Sequence, residues 1–475
     1  MANSKNILNE KLRVINIGTS KFKDDLDLQQ VESVQYDWRP PAGGNAQVIE
    51  ALDSLKNINK IEAANQEVIK IIKEAHPFLI DIDQAINVIP NMHKKLILHA
   101  GPPINWERMA GPVKGAIAGA LMYEGLASNE KEAEELASSG EIEFAPAHHY
   151  NAVGPMAGII SASMPVHIVE NRIHGNKTFC TVNEGLGKVL RFGANSQEVL
   201  DRLSWIEKTF APALKKALAL TDGIDLKSIT SQALHMGDEC HNRNKAATSL
   251  FYREISDYFL QTDLTKEEVR DVTRFIREND HYFLNLSMPA SKSALDAAQG
   301  VKYSTVVTTM ARNGVEFGIR ISGLGNEKWF TAPANYIKGM FFPGYTQEDA
   351  APDLGDSTIT ETMGIGGFAM AASPAIVQFV GGDVEDAIHY SEQMYEITVG
   401  ENSNYSIPNL NFRGGAYGID ILKVIDTNIL PVINTGMAHK EAGIGQIGAG
   451  IVHPPFECFE KAFIAFMETY KEEIR

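Results

Sequence analysis

The chain has 475 residues and a formal net charge of -17. A content of 44% hydrophobic and 22% charged residues is that of a soluble globular protein, and the length exceeds one compact core, so about two to four domains are expected. The acidic excess argues against nucleic acid as a partner, and an anionic ligand would need a local basic patch and backbone dipoles to hold it.

The opening Met1-Ala2-Asn3-Ser4-Lys5-Asn6 lacks the apolar core of a signal peptide. Residues 12–17 read as a strand ending at Gly18, a helical stretch follows, and residues 31–36 make a second strand. This small βαβ-like unit closes at the turn Pro40-Pro41-Ala42-Gly43-Gly44. Residues 47–75 have helical apolar spacing, with Val68, Ile71 and Ile72 on one face, and His76-Pro77 ends the pattern. Strands are predicted at 78–82 and 95–99, and helices at 113–126 and 129–139. The second of these helices carries Asn129-x-x-Glu132 at its start and Gly140 at its end. The apolar run 115–127 is broken by Glu124 and is too short to span a bilayer.

A hairpin is predicted over 166–182, turned at His174-Gly175-Asn176. From Asn195 to about Gln299 nearly everything reads as helix, with Asn195-x-x-Glu198 and Thr265-x-x-Glu268 as capping boxes. Residues 304–322, turned at Asn313-Gly314, give the strongest hairpin signal in the chain. Two helices are predicted near 358–372 and 383–398, and a strand at 429–434. Cys180, Cys240 and Cys458 are odd in number and widely spaced, which suits neither a disulfide framework nor a zinc motif and fits a reducing cytoplasm. The class is α+β: mixed α/β domains with a segregated helical subdomain, divided as residues 1–60, 61–195, 196–300 and 301–475.

The stretch most suggestive of chemistry is Asn434 to Gly450, where His439, Lys440 and Glu441 run into Gly443, Gly445, Gly448 and Gly450. Glycines let backbone N–H groups approach a ligand, and successive N–H groups form a concavity that suits an anion. Gly443-x-Gly445-x-x-Gly448 also fits the dinucleotide fingerprint, but the strand before it and the helix after it are missing. A tight loop crowded against the core is the structural alternative.

A second unusual segment, His148-His149-Tyr150-Asn151, continues through Gly154-Pro155-Met156 to Ser161-Ala162-Ser163. Adjacent histidines on an extended chain point opposite ways, so at most one faces a given site. Asn183-Glu184-Gly185-Leu186-Gly187-Lys188 is not a phosphate loop, because the Gly-Lys-Ser/Thr ending is absent. A helix beginning near Glu184 would place Lys188 and Arg191 on one side as a basic pair for a carboxylate or phosphate; a surface ion-pair row is the alternative. Met236 to Asn244 reads as part of a helix with Asp238 and His241 on one face and Glu239 and Arg243 on another, an internal network or part of a site. Asp238, Glu239, His235 and His241 include metal-ligating types, but their spacing demands no metal and none is assigned. Arg312-Asn313-Gly314 reads first as turn chemistry, and Asp356-Ser357-x-x-Thr360-Glu361-Thr362 as a helix start with acidic first-turn residues.

Together, His99-Ala100-Gly101-Pro102-Pro103, His148-His149-x-Asn151-Ala152-Val153-Gly154-Pro155-Met156, Asn183-Glu184-Gly185-x-Gly187-Lys188-Val189, Met236-Gly237-Asp238-Glu239-x-His241-x-Arg243-Asn244, Gly355-Asp356-Ser357 and the Asn434 to Gly450 stretch resemble the YahG/YlbE-like family over residues 66–468. The preceding Asp37-Trp38-x-Pro40-Pro41-Ala42-Gly43-Gly44 resembles a segment found in FdrA-type proteins. The resemblance implies an AllG-type subunit of oxamate carbamoyltransferase, in the cytoplasm, working with an FdrA-type and a third subunit. The implied reaction converts oxalurate and phosphate to oxamate and carbamoyl phosphate in anaerobic allantoin and purine breakdown. A homo-oligomer, no cofactor, no metal, no nucleic acid and no membrane are expected.

For that reaction the catalytic candidates are His149 or His439 as proton donor, with Lys440 and Glu441 beside it. The binding candidates are Asn151, Ser161, Ser163, Lys188, Arg191, Arg312 and the backbone at Gly443, Gly445 and Gly448. The Ser-Thr-Arg-Thr phosphate loop of aspartate and ornithine carbamoyltransferases is absent, so the chemistry would run on a different fold. Two other readings stand beside it: a non-catalytic assembly subunit docking the FdrA-type partner, and a related acyl or carbamoyl transferase acting on another small acid.

Overall fold

In the computed structural model, residues 11–36, 38–55 and 58–474 are described. Met1 to Asn6, and Asp37 of the Asp37-Trp38 segment, lie outside the described residues. The architecture is α+β, with helices on and between several small, mostly antiparallel sheets.

The centre of the fold is the helix Leu284–Ala297, buried along nearly its whole length. A helix without a polar face has to be surrounded on all sides. It lies on the strands Pro165–Asn171 and Lys177–Thr181, the hairpin expected at 166–182, and it also packs against Ile359–Met363 and Asn59–Glu74. That hairpin belongs to a five-stranded sheet in the order Ala152–Val153, Lys177–Thr181, Pro165–Asn171, Pro77–Gln84, Ile224–Asp225. The helices between 197 and 297 share one apolar cluster with this sheet and with residues from 359–372 and 405–417.

The hairpin expected at 304–322 is present as Val307–Asn313 and Glu316–Ile321, paired antiparallel in a four-stranded sheet. Ile433–Ala438 and Gln446–Val452 form a second antiparallel pair, extended by Lys338–Phe341. There the chains approach so closely that a Cβ at Gly450 would meet Lys338 O at 2.2 Å and one at Gly448 would meet Met340 O at 2.4 Å. Those two glycines are required by sheet packing, and their backbones are engaged in the ladder.

Local signals held where the side chain itself makes the cap. Thr265 and Glu268 form a reciprocal capping box on Lys266–Arg277, and Asn129 accepts from Glu132 N at 3.0 Å. Several expectations are corrected. The helix over 47–75 is two helices, Ala46–Leu55 and Asn59–Glu74. Asn195 caps nothing; the N-cap of Gln197–Trp205 is Ser196, without a side-chain cap bond. No helix starts at Glu184, because Gly185 and Gly187 adopt φ +94° and +95°. The stretch 236–244 is not helical but a turn between Leu226–His235 and Lys245–Gln261, entered through Gly237 at φ +82°. The helix near 358–372 is a short α-turn, Ile359–Met363, followed by a tighter 3-10 segment, Gly366–Ala372.

The N-terminal βαβ unit is present: Arg13–Ile17, Lys21–Leu28 and Glu32–Tyr36, its two strands parallel and paired only with each other. None of its residues enters the four apolar clusters of the fold. Among the described residues no helix is long and apolar enough to cross a membrane.

His167, fully buried in the central sheet, places Nε2 2.9 Å from the Tyr282 hydroxyl. Burial pushes its imidazole down to about 4, against about 6.5 in an unfolded chain. The neutral ring therefore adds stability above pH 6.5 that is lost as the pH falls through 4, up to about 3 kcal/mol. Urea titrations at pH 7 and pH 4.5 should show this loss in the parent chain and a smaller one in His167→Gln.

Candidate functional site

The strand Lys177–Thr181 runs into a loop that doubles back on itself. The Glu184 carboxylate accepts from Leu190 N at 2.9 Å and Arg191 N at 3.3 Å, so both its oxygens are spent on backbone N–H groups. The Arg191 guanidinium, buried by this fold-back, donates through Nη2 to Gly185 O at 2.8 Å, and its Nε has no hydrogen-bond partner among the described residues. Burial lowers Arg191 to about 10, opposed by Glu184, which leaves it cationic at neutral pH. It faces a small cavity whose other polar walls are His241, Asn242, His281, Ser357, Thr435 and Gln446.

Each of these walls is set by a separate piece of chain. The turn 236–244 is fixed by two buried carboxylates. Asp238 accepts from Ala246 N at 2.7 Å and Ala247 N at 3.0 Å, capping the helix Lys245–Gln261. Glu239 accepts from Asn242 N and Arg243 N, both at 2.8 Å, and from Asn434 Nδ2 at 3.1 Å. Burial pushes both carboxyls up. The result presents His241 to the cavity, with Nδ1 2.6 Å from Glu361 Oε1. Glu361 already accepts from Gly367 N at 2.8 Å and from the Thr360 hydroxyl at 3.0 Å. His241 Nδ1 is therefore the donor of the pair, and Nε2 is the nitrogen free for proton exchange.

Arg312 stands behind the wall made by Ser357 and Thr435. It is fully buried, with Nε 2.8 Å from Asp353 Oδ1. Nη1 donates to Gly355 O at 2.9 Å and the Ser357 hydroxyl at 3.1 Å, and Nη2 to the Thr435 hydroxyl at 2.9 Å. Arg312 thus polarises two hydroxyls that line the cavity. His281, pushed down to about 4 by burial and then by Arg191, is neutral at pH 7. Leu186, Asn242, His281 and Gln446 also line an outer cleft of about 460 Å³, which carries Arg243 and the ion pair of Lys245 with Asp280 at 3.3 Å. The inner cavity is about 20 Å³, room for about one water, with Arg191 and His241 both in its wall.

The sequence-predicted residues divide. Arg191 and Arg312 converge here. Gly443 donates its N–H to Phe192 O at 2.9 Å, and a Cβ on Gly445 would stand 3.0 Å from Gly187 O, so the glycine turn packs on the Arg191 loop. Lys188 points outward, exposed, on the other side of that loop. His439, Lys440 and Glu441 stand at the turn between two strands and do not line the cavity. His439 Nδ1 accepts from Glu441 N at 2.9 Å, and Lys440 Nζ donates to Glu348 O at 2.7 Å. Ser161 and Ser163 direct their hydroxyls to Glu124, at 2.6 and 2.9 Å. His149 and Asn151 line a different pocket.

Glu361, His281, Ser357, Thr435 and Gln446 were not singled out for the site, and His241 only within a cluster read as an internal network or part of a site. The usable signal was Gly237 ahead of Asp238, Glu239 and His241, a turn-former followed by ionisable residues. Among the described residues no group of three or more His, Cys, Asp or Glu is placed to hold a metal ion.

The family model described as oxamate carbamoyltransferase subunit AllG matches residues 142–357. That span contains Arg191, His241, His281, Arg312 and Ser357. The chain is 53% identical over 470 residues to the uncharacterized protein YahG of Escherichia coli (strain K12), covering 98% of this chain and 99% of that one. It is 48% identical over 412 residues to the oxamate carbamoyltransferase subunit AllG of the same organism, covering 86% of this chain and 98% of that one. A crystal structure of a conserved protein of unknown function from Enterococcus faecalis V583 is similar at a TM-score of 0.85 and 52% identity, over 86% of this chain and 98% of that one.

Calorimetric titration with inorganic phosphate distinguishes the two cations of the 184–191 loop. Arg191→Gln should weaken binding by about 10- to 100-fold, the loss of one charge-assisted hydrogen bond, while Lys188→Gln leaves it unchanged.

Proposed function

The chain belongs to the YahG/AllG-like family, and from that premise we propose that it is the subunit of an oxamate carbamoyltransferase in which oxalurate is cleaved by phosphate. A phosphate oxygen attacks the carbamoyl carbon, the carbon–nitrogen bond breaks, and the departing oxamate nitrogen takes a proton. The products are oxamate and carbamoyl phosphate. The observation that carries this reading is the buried Arg191, its Nε without a partner, in one cavity with the His241–Glu361 pair.

Each demand of the reaction has a group in that cavity. Arg191 holds an anionic oxygen of phosphate or of the oxamate carboxylate. The Ser357 and Thr435 hydroxyls, backed by Arg312, donate to the charge that builds on the carbamoyl oxygen. His241, oriented by Glu361, delivers the proton to the leaving nitrogen, a role that sequence reading had given to His149 or His439. Arg243, in the outer cleft, adds a local cation against the overall negative charge of the chain. In this reading the subunit works in the cytoplasm with an FdrA-type and a third subunit, as a homo-oligomer, in anaerobic allantoin and purine breakdown.

Reconstitution tests it. The chain mixed with its partner subunits, oxalurate and phosphate should form carbamoyl phosphate. Arg191→Gln and His241→Gln should each lower turnover about 100-fold or more with assembly intact. Undiminished turnover in both variants would remove this cavity from the reaction.

A second reading, an assembly role, is favoured by the N-terminal βαβ unit. Ile15 pairs in register with Val34, and Ile17 with Tyr36, so all four share one sheet face, and all four are exposed. Among the described residues nothing pairs with either edge of this parallel pair or covers its apolar face, the cover that parallel sheets take. In this reading the face docks the FdrA-type subunit. Ala46–Leu55 is anchored in the core through Val48, Leu52 and Leu55, so the informative deletion stops at residue 38. Removing residues 1–38 should abolish co-purification of the FdrA-type subunit and leave phosphate binding by the isolated chain unchanged.

A further inference from the structure

A second polar pocket, about 180 Å³, opens beside the short 3-10 turn Ala147–Tyr150 and shares no lining residue with the cavity of Arg191. Its floor is a buried guanidinium. Arg320 is 1% exposed, and all its hydrogen bonds go to neutral acceptors: Nε and Nη2 to the Thr309 hydroxyl at 3.1 and 2.8 Å, Nη1 to Asn326 O at 2.6 Å. Its plane sits 4.8 Å from the Trp329 ring. The other buried cation, Lys292, is already matched by Asp296 Oδ2 at 2.8 Å. At the rim Lys177 and Glu327 carry opposite charges. Among the described residues Arg320 makes no direct ion pair; Asp296, Asp356 and Glu327 act on it from farther off.

Beside it are three amide atoms without a hydrogen-bond partner among the described residues, while Asn176 Nδ2 donates to Ser293 O at 2.9 Å. Both side-chain polar atoms of Gln299 are buried without a partner, and so is the Asn176 oxygen, among the described residues. An unpaired buried polar atom costs about 1–3 kcal/mol, so three in one pocket call for an occupant that supplies both donors and acceptors. The imidazoles on the wall are neutral, both lowered first by burial. The Trp329 indole N–H can only donate, and it reaches His149 Nε2 at 2.8 Å, which fixes the proton of neutral His149 on Nδ1.

We propose that this pocket is a second ligand site, built for a small monocarboxylate that also carries a carboxamide or ureido group. Arg320 takes the carboxylate. The Gln299 amide pairs with the ligand amide, one donor against one acceptor in each direction, and the Asn176 oxygen accepts a further N–H. The volume is several times the ~30 Å³ share of one water, which suits a small acid. A phosphate dianion is the poorer fit, because Asp296 and Glu327 also line the pocket and only Arg320 lacks an anionic partner. The site does not depend on the reaction assigned to the Arg191 cavity.

Oxamate is the probe, with inorganic phosphate as control, on the full-length chain. In the Arg191→Gln background, which disables the other cavity, oxamate should still bind at one site per chain and phosphate should not compete. Adding Gln299→Leu should weaken that binding about tenfold or more, with the circular dichroism spectrum unchanged. Arg320→Gln should abolish it, but Arg320 also ties Thr309 to Asn326, so the Gln299 variant and a crystal soaked in oxamate carry the decision. Density for the acid between Arg320 and Gln299 supports the site. No oxamate binding in the Arg191→Gln chain, unchanged affinity on adding Gln299→Leu, or only water in the soaked pocket overturns it.

Discussion

Arg312 is the interaction on which the arrangement depends. A guanidinium with no exposure to water is tolerated only when it is paired, and here the partners come from distant parts of the chain: the Asp353 carboxylate beside Nε, and on the two Nη atoms the carbonyl of Gly355, Ser357, Thr358 and Thr435. The strand Val307–Asn313, the turn that leads into Ile359–Met363, and the strand Ile433–Ala438 are clamped by one side chain. The clamp fixes two hydroxyls and, one turn further along, the Glu361 carboxylate that orients His241. Arg312 acts on the cavity through these groups, and the cation that faces it directly is Arg191.

Two buried arginines with unfinished electrostatics lie on either side of the central helix. The loop ahead of Leu284–Ala297 brings His281 to the Arg191 cavity, and the far part of the same helix brings Lys292 and Asp296 to the Arg320 pocket. The two places are joined through adjacent residues: Asp356 Oδ1 stands 3.4 Å from His148 Nε2, while Ser357 lines the Arg191 cavity. A scaffold buried on all sides keeps both sets of charges in low dielectric, where each unpaired group is worth more than it would be at the surface.

What the sequence revealed was whatever a short stretch settles by itself. The Asn313-Gly314 hairpin and the Thr265-Glu268 cap rest on local backbone geometry, and both are present. Lys188 and Arg191 were paired on helical spacing, but two glycines in left-handed conformation reverse the chain between Glu184 and Lys188 and turn Lys188 outward. His241 was read on a helix face, whereas Gly237 ends that helix and the two preceding carboxylates fold the turn around themselves. The His439-Lys440-Glu441 triplet stood out as a linear pattern, yet His439 receives the N–H of its own turn. Ser357, Thr435 and Gln446 reach the cavity from segments far apart, and no periodicity within any one of them encodes that meeting.

The N-terminal βαβ unit carries its own register, and its described residues contribute nothing to the four apolar clusters. Substitutions on its bare face escape the packing constraints that bind the interior. Sequence can therefore drift on that face without disturbing how the rest of the chain packs.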